Sequence, residues 1–119
     1  MDKEQFLISK GVDAHTAIEN MMGIDIYDEM IMDYMESLPN DYNMLVNYKN
    51  NNDMPNYAIQ VHAMKSNARS FGFMKLGEIA YEHEMKSKEN DVNYVNENFG
   101  TLTNAVNEVM AILEEYKNL

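Results

Sequence analysis

The stretch from Val92 to Tyr116, VNYVNENFGTLTNAVNEVMAILEEY, decides the fold. Val92, Val95, Phe99, Leu102, Val106, Val109, Leu113 and Tyr116 follow one another at spacings of 3, 4, 3, 4, 3, 4 and 3. An α-helix turns once in about 3.6 residues, so this alternation lays all of these side chains along one stripe of a single long helix. So sustained a stripe is a seam for packing against antiparallel neighbours. Gly100 falls inside the run but off the stripe, where it costs about 1 kcal/mol relative to alanine without ending the helix.

Working outward, the helical period recurs upstream. Glu89-Asn90-Asp91 is a polar break, and before it Leu76, Ile79, Ala80 and His83 mark an inward face that runs to about Lys88. In Asn56–Leu76, NYAIQVHAMKSNARSFGFMKL, the apolar stripe is Tyr57, Val61, Met64, Ala68 and Phe71, with an end expected near Phe71-Gly72. Asp53 suits its N-cap, and Pro55 falls in the first turn, where a missing N–H does no harm. Asp25 opens a longer helix with Tyr27, Met30, Ile31, Tyr34, Met35 and Leu38 inward and Asp28, Glu29, Asp33 and Glu36 pointing away. Pro39 is expected to end or kink it, and a helix of about ten residues carrying Tyr42, Leu45 and Val46 to follow. Residues 2–9, and then Asp13 to Met22 with Gly23 as a stop, predict two short helices. No segment shows strand alternation bounded by hairpin turns. The pattern predicts an all-α fold in one domain, residues 1–119. Its body is an antiparallel up-down-up-down four-helix bundle over about residues 24–117, with one or two short N-terminal helices over one end. Most of the 12 methionines fall on the core stripes and read as core.

The composition excludes several classes of function. A formal net charge of −11 argues against nucleic acid, whose phosphates are bound through clustered Lys and Arg. No apolar run approaches the roughly 20 residues of a membrane span. Met-Asp-Lys-Glu-Gln at the start lacks the basic flank and apolar core of a signal peptide, and there is no cysteine, so a cytoplasmic protein is expected. Nothing specifies a dimer, and a monomer is expected. The distribution of charge says more than its sum: none of the 20 acidic residues lies between Met54 and Gly77, a window that holds Lys65, Arg69 and Lys75.

Within that window His62, Lys65, Ser66 and Arg69 stand at i, i+3, i+4 and i+7, opposite the apolar stripe, so they share a face expected to look to solvent. A surface histidine among cations is ordinarily only a solvated face. Here the helix lacks every acid, Ser66 is small enough to leave the imidazole open to a visitor, and Lys65 and Arg69 can reach oxygens on a group attached to the ring. Imidazole titrates near 6.5, so its neutral nucleophilic form is abundant at physiological pH. A phosphoryl group transferred to a ring nitrogen spreads charge over its oxygens, which an ammonium and a hydroxyl one turn away can receive. The chain has no glycine-rich phosphate cradle of its own, so the phosphate has to come from another protein.

His62-Ala-Met-Lys65-Ser66-Asn-Ala68-Arg-Ser-Phe-Gly72, continuing to Leu76 and Ala80, resembles the signature of histidine-containing phosphotransfer (HPt) domains, H-x-L-K-[G/S]-x-A-x-x-x-G-x-x-x-L-x-x-x-A. Met64 stands where the motif has Leu, a conservative core change. The upstream Val12-Asp13, Gly23, Tyr27 and Leu38-Pro39 pattern and the long last helix fit the same family, so the resemblance covers nearly the whole chain. It implies a phosphorelay carrier: His62 accepts a phosphoryl group from the aspartate of one receiver domain and passes it to the aspartate of another. Lys65 is implied to stabilise the phosphoryl group, Ser66 to leave room for the receiver's active site, and Gly72 to make the tight helix end. Glu84 falls where some members place a Gln bonded to the histidine. A carboxylate there can orient the ring through an N–H, and it also repels a phosphoryl group. Arg69 is an electrostatic candidate that the motif does not require.

No cofactor of the chain's own is implied, and Mg2+ is expected on the partner receiver domain. The partners implied are response-regulator receiver domains or a hybrid sensor histidine kinase, with the chain a phosphohistidine intermediate rather than an autonomous ATP-dependent kinase. Two alternatives stand beside this: the His-bearing domain of a chemotaxis-type kinase, phosphorylated by an ATP-binding domain, and a non-catalytic helical adaptor. His62, His83 and carboxylates as a metal site are a further option. For His83 itself, on an inward stripe with Glu82 and Glu84 pointing elsewhere, a hydrogen-bonded core histidine is expected.

Overall fold

A computed structural model describes residues 1–119, and every regular element in it is helical. In chain order these are α1 Lys3–Ser9, α2 Ala14–Asn20, α3 Ile24–Asn50, α4 Met54–Ser70, α5 Met74–Lys88 and α6 Val92–Lys117. α3 packs on α4 and α6, and α5 packs on the same two, so the four long helices enclose one core. α1 lies against α2 and α6, and α2 against α3. The result is an elongated body, 43 × 23 × 21 Å. No helix is long and apolar enough to cross a membrane.

The α6 stripe is that core's longest contribution. Val95, Leu102, Val106, Val109, Leu113 and Tyr116 are buried, with Ala105 beside them, while Val92 and Phe99 are partly covered. Gly100 is exposed and the helix runs straight past it. The helix starts are set by local chemistry. Asp53 accepts the Asn56 backbone N–H at 3.3 Å and Asp91 accepts that of Tyr94 at 3.0 Å, each satisfying a donor that the first turn leaves orphaned. Asn52 and Asn90, just upstream, take left-handed φ of 52° and 58°, which Asn tolerates better than most side chains.

Pro39 does not end α3. The helix runs for 27 residues through it, where the sequence predicts an end or a kink and then a second, shorter helix. Tyr27, Ile31, Tyr34, Leu38 and Leu45 are all buried on one unbroken stripe. Leu45 lies seven residues beyond Leu38, two turns on and in phase. Pro39 itself is exposed, so its ring sits off the buried stripe and takes no place in the core. Burial of the second half of the stripe offsets the proline's cost of about 3 kcal/mol. Asp28 also departs from expectation: instead of pointing away it accepts the Lys3 ammonium at 2.7 Å and the Tyr116 hydroxyl at 2.8 Å, bonds that hold its carboxyl below the usual range and tie α1 and α6 to α3.

The turn between α4 and α5 fixes how those two helices face each other. Gly72 adopts φ +91°, and its carbonyl accepts the Asp13 N–H at 2.9 Å; a Cβ there would collide with the Asp13 carbonyl. The Tyr27 hydroxyl donates to the Phe71 carbonyl at 2.8 Å, holding the same turn from α3. On the far side, Gly77 lets α5 approach α4 closely, since a Cβ would lie 2.8 Å from the Arg69 Cγ. A side chain on α5 can therefore reach the outer face of α4.

Candidate functional site

α4 buries Tyr57, Ala58, Val61, Met64 and Ala68, which turns His62 and Ser66 outward. α5 buries Leu76, Gly77, Ala80, His83, Glu84 and Ser87. The charged member of that set, Glu84, is where the site is made. Its side chain is 3% exposed, yet each oxygen is engaged across the α4–α5 seam. Oε1 accepts the Lys65 ammonium at 2.6 Å. Oε2 accepts His62 Nδ1–H at 2.6 Å and the Lys88 ammonium at 2.9 Å.

Burial by itself pushes the Glu84 carboxyl upward, but the hydrogen bonds from Lys65, Lys88 and His62 outweigh it and bring it down to about 2. Glu84 is therefore ionised and can only accept hydrogen bonds. That assigns the proton of His62: Nδ1 must carry it, so in the neutral ring Nε2 holds the lone pair. The His62 side chain is 55% exposed, and beside it lies an open depression of about 310 Å³ lined by Ala58, Ile59, His62, Glu84 and Lys88. An oriented imidazole with a free nucleophilic nitrogen and two ammonium groups close by is an arrangement able to take an electrophile that carries negative charge.

The structure brings His62, Lys65 and Glu84 together, and it revises the electrostatics expected of them. The acid-free window of α4 is not an acid-free site, because α5 supplies the carboxylate. Lys65 does not look to solvent: its side chain is 14% exposed, bonded to Glu84 and lying 5.5 Å from the centre of the Tyr81 ring. Arg69 is not part of the cluster; its guanidinium sits over the same Tyr81 ring, 5.6 Å from its centre. Ser66 is exposed one turn beyond His62, its carbonyl accepting the Ser70 hydroxyl. With Lys65 and Lys88 both on Glu84, the trio carries one net positive charge, which counters the repulsion a lone carboxylate would exert on an anion. Lys88 was not foreseen as a site residue. Its signal was present in the sequence, since a Glu four residues before a Lys on a helix forms an ordinary pair.

The other histidines are placed differently. His83 is 1% exposed and accepts the Tyr57 hydroxyl on Nδ1 at 2.8 Å, while its Nε2–H donates to the Asn98 carbonyl at 3.2 Å. The carbonyl cannot donate, which fixes this tautomer too. Burial lowers the His83 pKa, and both nitrogens are used. His15, exposed on α2, stands between Glu4 and Glu19 at 3.2 and 3.3 Å. No group of three or more His, Asp or Glu side chains converges as a metal site would require.

No protein-family model, curated protein or solved structure matches this chain.

Proposed function

We propose that this chain is a phosphorelay carrier, built as an antiparallel up-down-up-down four-helix bundle, in which His62 receives a phosphoryl group from a receiver-domain aspartate and hands it to another. The observation that carries this reading is the His62–Glu84 bond. It holds the imidazole with Nδ1 protonated and leaves Nε2, on an exposed face, as the nucleophile. The Nε2 lone pair attacks phosphorus as the bond to the aspartyl oxygen breaks, and that oxygen leaves with the electron pair as carboxylate. The Nδ1 proton stays on the ring, held by Glu84. Lys65 and Lys88 lie where they offset the charge of the incoming group. Mg2+ belongs to the receiver, and this chain supplies the acceptor and its immediate electrostatics. The resemblance of His62-x-Met64-Lys65-Ser66-x-Ala68 through Gly72 to the phosphotransfer signature supports the same reading independently of the geometry.

The test is incubation with a receiver domain carrying aspartyl phosphate. Acid-labile, base-stable phosphate is expected on His62, and its complete loss in His62→Gln. Phosphate retained by that variant, or no transfer to the wild type from any receiver, overturns the proposal.

A further inference from the structure

We propose that Lys88 is a phosphoryl-binding group of this site and the mobile one, whereas Lys65 stays behind as the counter-ion of Glu84. The inference rests on the phosphocarrier reading and assigns a division of labour within it. Three observations separate the two lysines. Lys65 is 14% exposed, has Oε1 of Glu84 to itself at 2.6 Å, and is also held against the Tyr81 ring. Lys88 is 60% exposed, sits at the last residue of α5, and shares Oε2 with His62 Nδ1 through a longer bond of 2.9 Å. An ammonium that is mostly in water is cheap to move to another partner, and one that is mostly buried is not. Lys88, and not Lys65, lines the depression that opens beside the imidazole.

The charge arithmetic points the same way. If Lys65 left Glu84, a buried carboxylate would lose its best partner next to a phosphoryl group bearing up to two negative charges. If Lys88 leaves, Lys65 still neutralises Glu84, and the His62 Nδ1–H still has its acceptor. The exposed ammonium then moves from Oε2 to the phosphoryl oxygens as the P–N bond forms and the leaving group departs with its electron pair. Ile59, 70% exposed on the opposite wall, offers no competing polar group.

The experiment uses phosphoramidate, a small donor that needs no partner protein, with the full chain and its Lys88→Gln, Lys88→Arg and Lys65→Gln variants. Phosphohistidine is followed by 31P NMR. Lys88→Gln is expected to slow formation on the order of tenfold, the value of one charge-assisted hydrogen bond. It should also raise the pH at which the 31P shift of the bound phosphoryl group titrates, with Lys88→Arg restoring much of both. The titration midpoint reports the positive charge held at the phosphoryl group, so a Lys88 that stayed on Glu84 would leave it far less changed than one that binds the phosphoryl oxygens. Lys65→Gln should lower the melting temperature more than Lys88→Gln does, because it strips a buried carboxylate of its mostly buried partner. A Lys88→Gln protein with wild-type rate and midpoint overturns the inference and leaves the phosphocarrier reading standing. No phosphohistidine in the wild type, from phosphoramidate or from a receiver, overturns both.

Discussion

Two histidines cross the same α4–α5 seam, and their contrast explains the site. His62 reaches from α4 to Glu84 on α5, and His83 reaches from α5 to Tyr57 on α4, from adjacent positions on the second helix. His83 has neutral partners on both ring nitrogens and is sealed from water, so it is a satisfied core group with no chemistry left to offer. His62 has one ionised partner on one nitrogen and water on the other side. The residue type decides little. What differs is whether the partner carries charge and whether a nitrogen is left over.

The largest effect that can break this comparison is on transfer. His62→Gln should remove all phosphate acceptance while the far-ultraviolet circular dichroism stays wild-type, because the side chain is half in water. Residual phosphate on His83 in that variant would contradict the assignment of His83 as a sealed core group.

Next is the pH dependence of folding, where the two regions should separate. The folded pKa of Glu84 is depressed to about 2 from an ordinary 4.5, so its stabilisation is present above 4.5 and fades as pH falls toward 2. The shift is worth on the order of 3 kcal/mol. The His83 pKa is also lowered, here by burial, so the unfolded chain takes up its proton first and stability begins to fall below the ordinary 6.5. Denaturant melts of the wild type should therefore weaken in two stages on acidification. Glu84→Gln should be less stable at pH 7, weaken less over the lower stage, and keep the upper one. Asp28, also depressed, contributes to the lower stage of both proteins, so the difference between them isolates Glu84. Parallel curves for the two proteins down to pH 2 would show that Glu84 is not held as an ion.

Smaller, and on the other side of the comparison, is Tyr57→Phe. It leaves the buried Nδ1 of His83 without its donor and should cost about 1–3 kcal/mol in stability. Phosphate acceptance at His62 should stay close to the wild-type rate, read as 31P signal growth under the same phosphoramidate conditions. A transfer defect there would mean that the two histidines are coupled through α4.

What the sequence made legible follows from what is local. The stripe from Val92 to Tyr116, the Asp53 cap and the Gly72 turn are each encoded within a few neighbouring residues, and each is found in the structure. Pro39 was misjudged because its local penalty is outweighed by Leu45, Tyr42 and the rest of α3 finding partners on other helices. The His62 stripe was legible as a face. Its electrostatics were not legible from spacing, because the carboxylate arrives from α5 and helical spacing within α4 carries no information about interhelical register; only the family resemblance pointed to Glu84 as a group that orients the ring. Lys88 illustrates the converse: the local Glu84–Lys88 pair was readable, but only the approach of His62 to the same oxygen gives it meaning.

Arg69 provides the smallest and sharpest limit on the site. It shares the His62 stripe, and helical spacing alone groups it with Lys65. Seven residues amount to roughly 10 Å along the helix axis, beyond a Debye length of about 8 Å in physiological salt. Its guanidinium lies over Tyr81 rather than toward the imidazole. Arg69→Ala should therefore change phosphate acceptance from phosphoramidate by less than about twofold and cost about 0.5 kcal/mol, the worth of one exposed cation–π contact. A tenfold loss of acceptance would place Arg69 inside the site and extend its charge two turns along α4. A negligible change confines the working electrostatics to the groups that share the Glu84 carboxylate, where the difference between the two histidines originates.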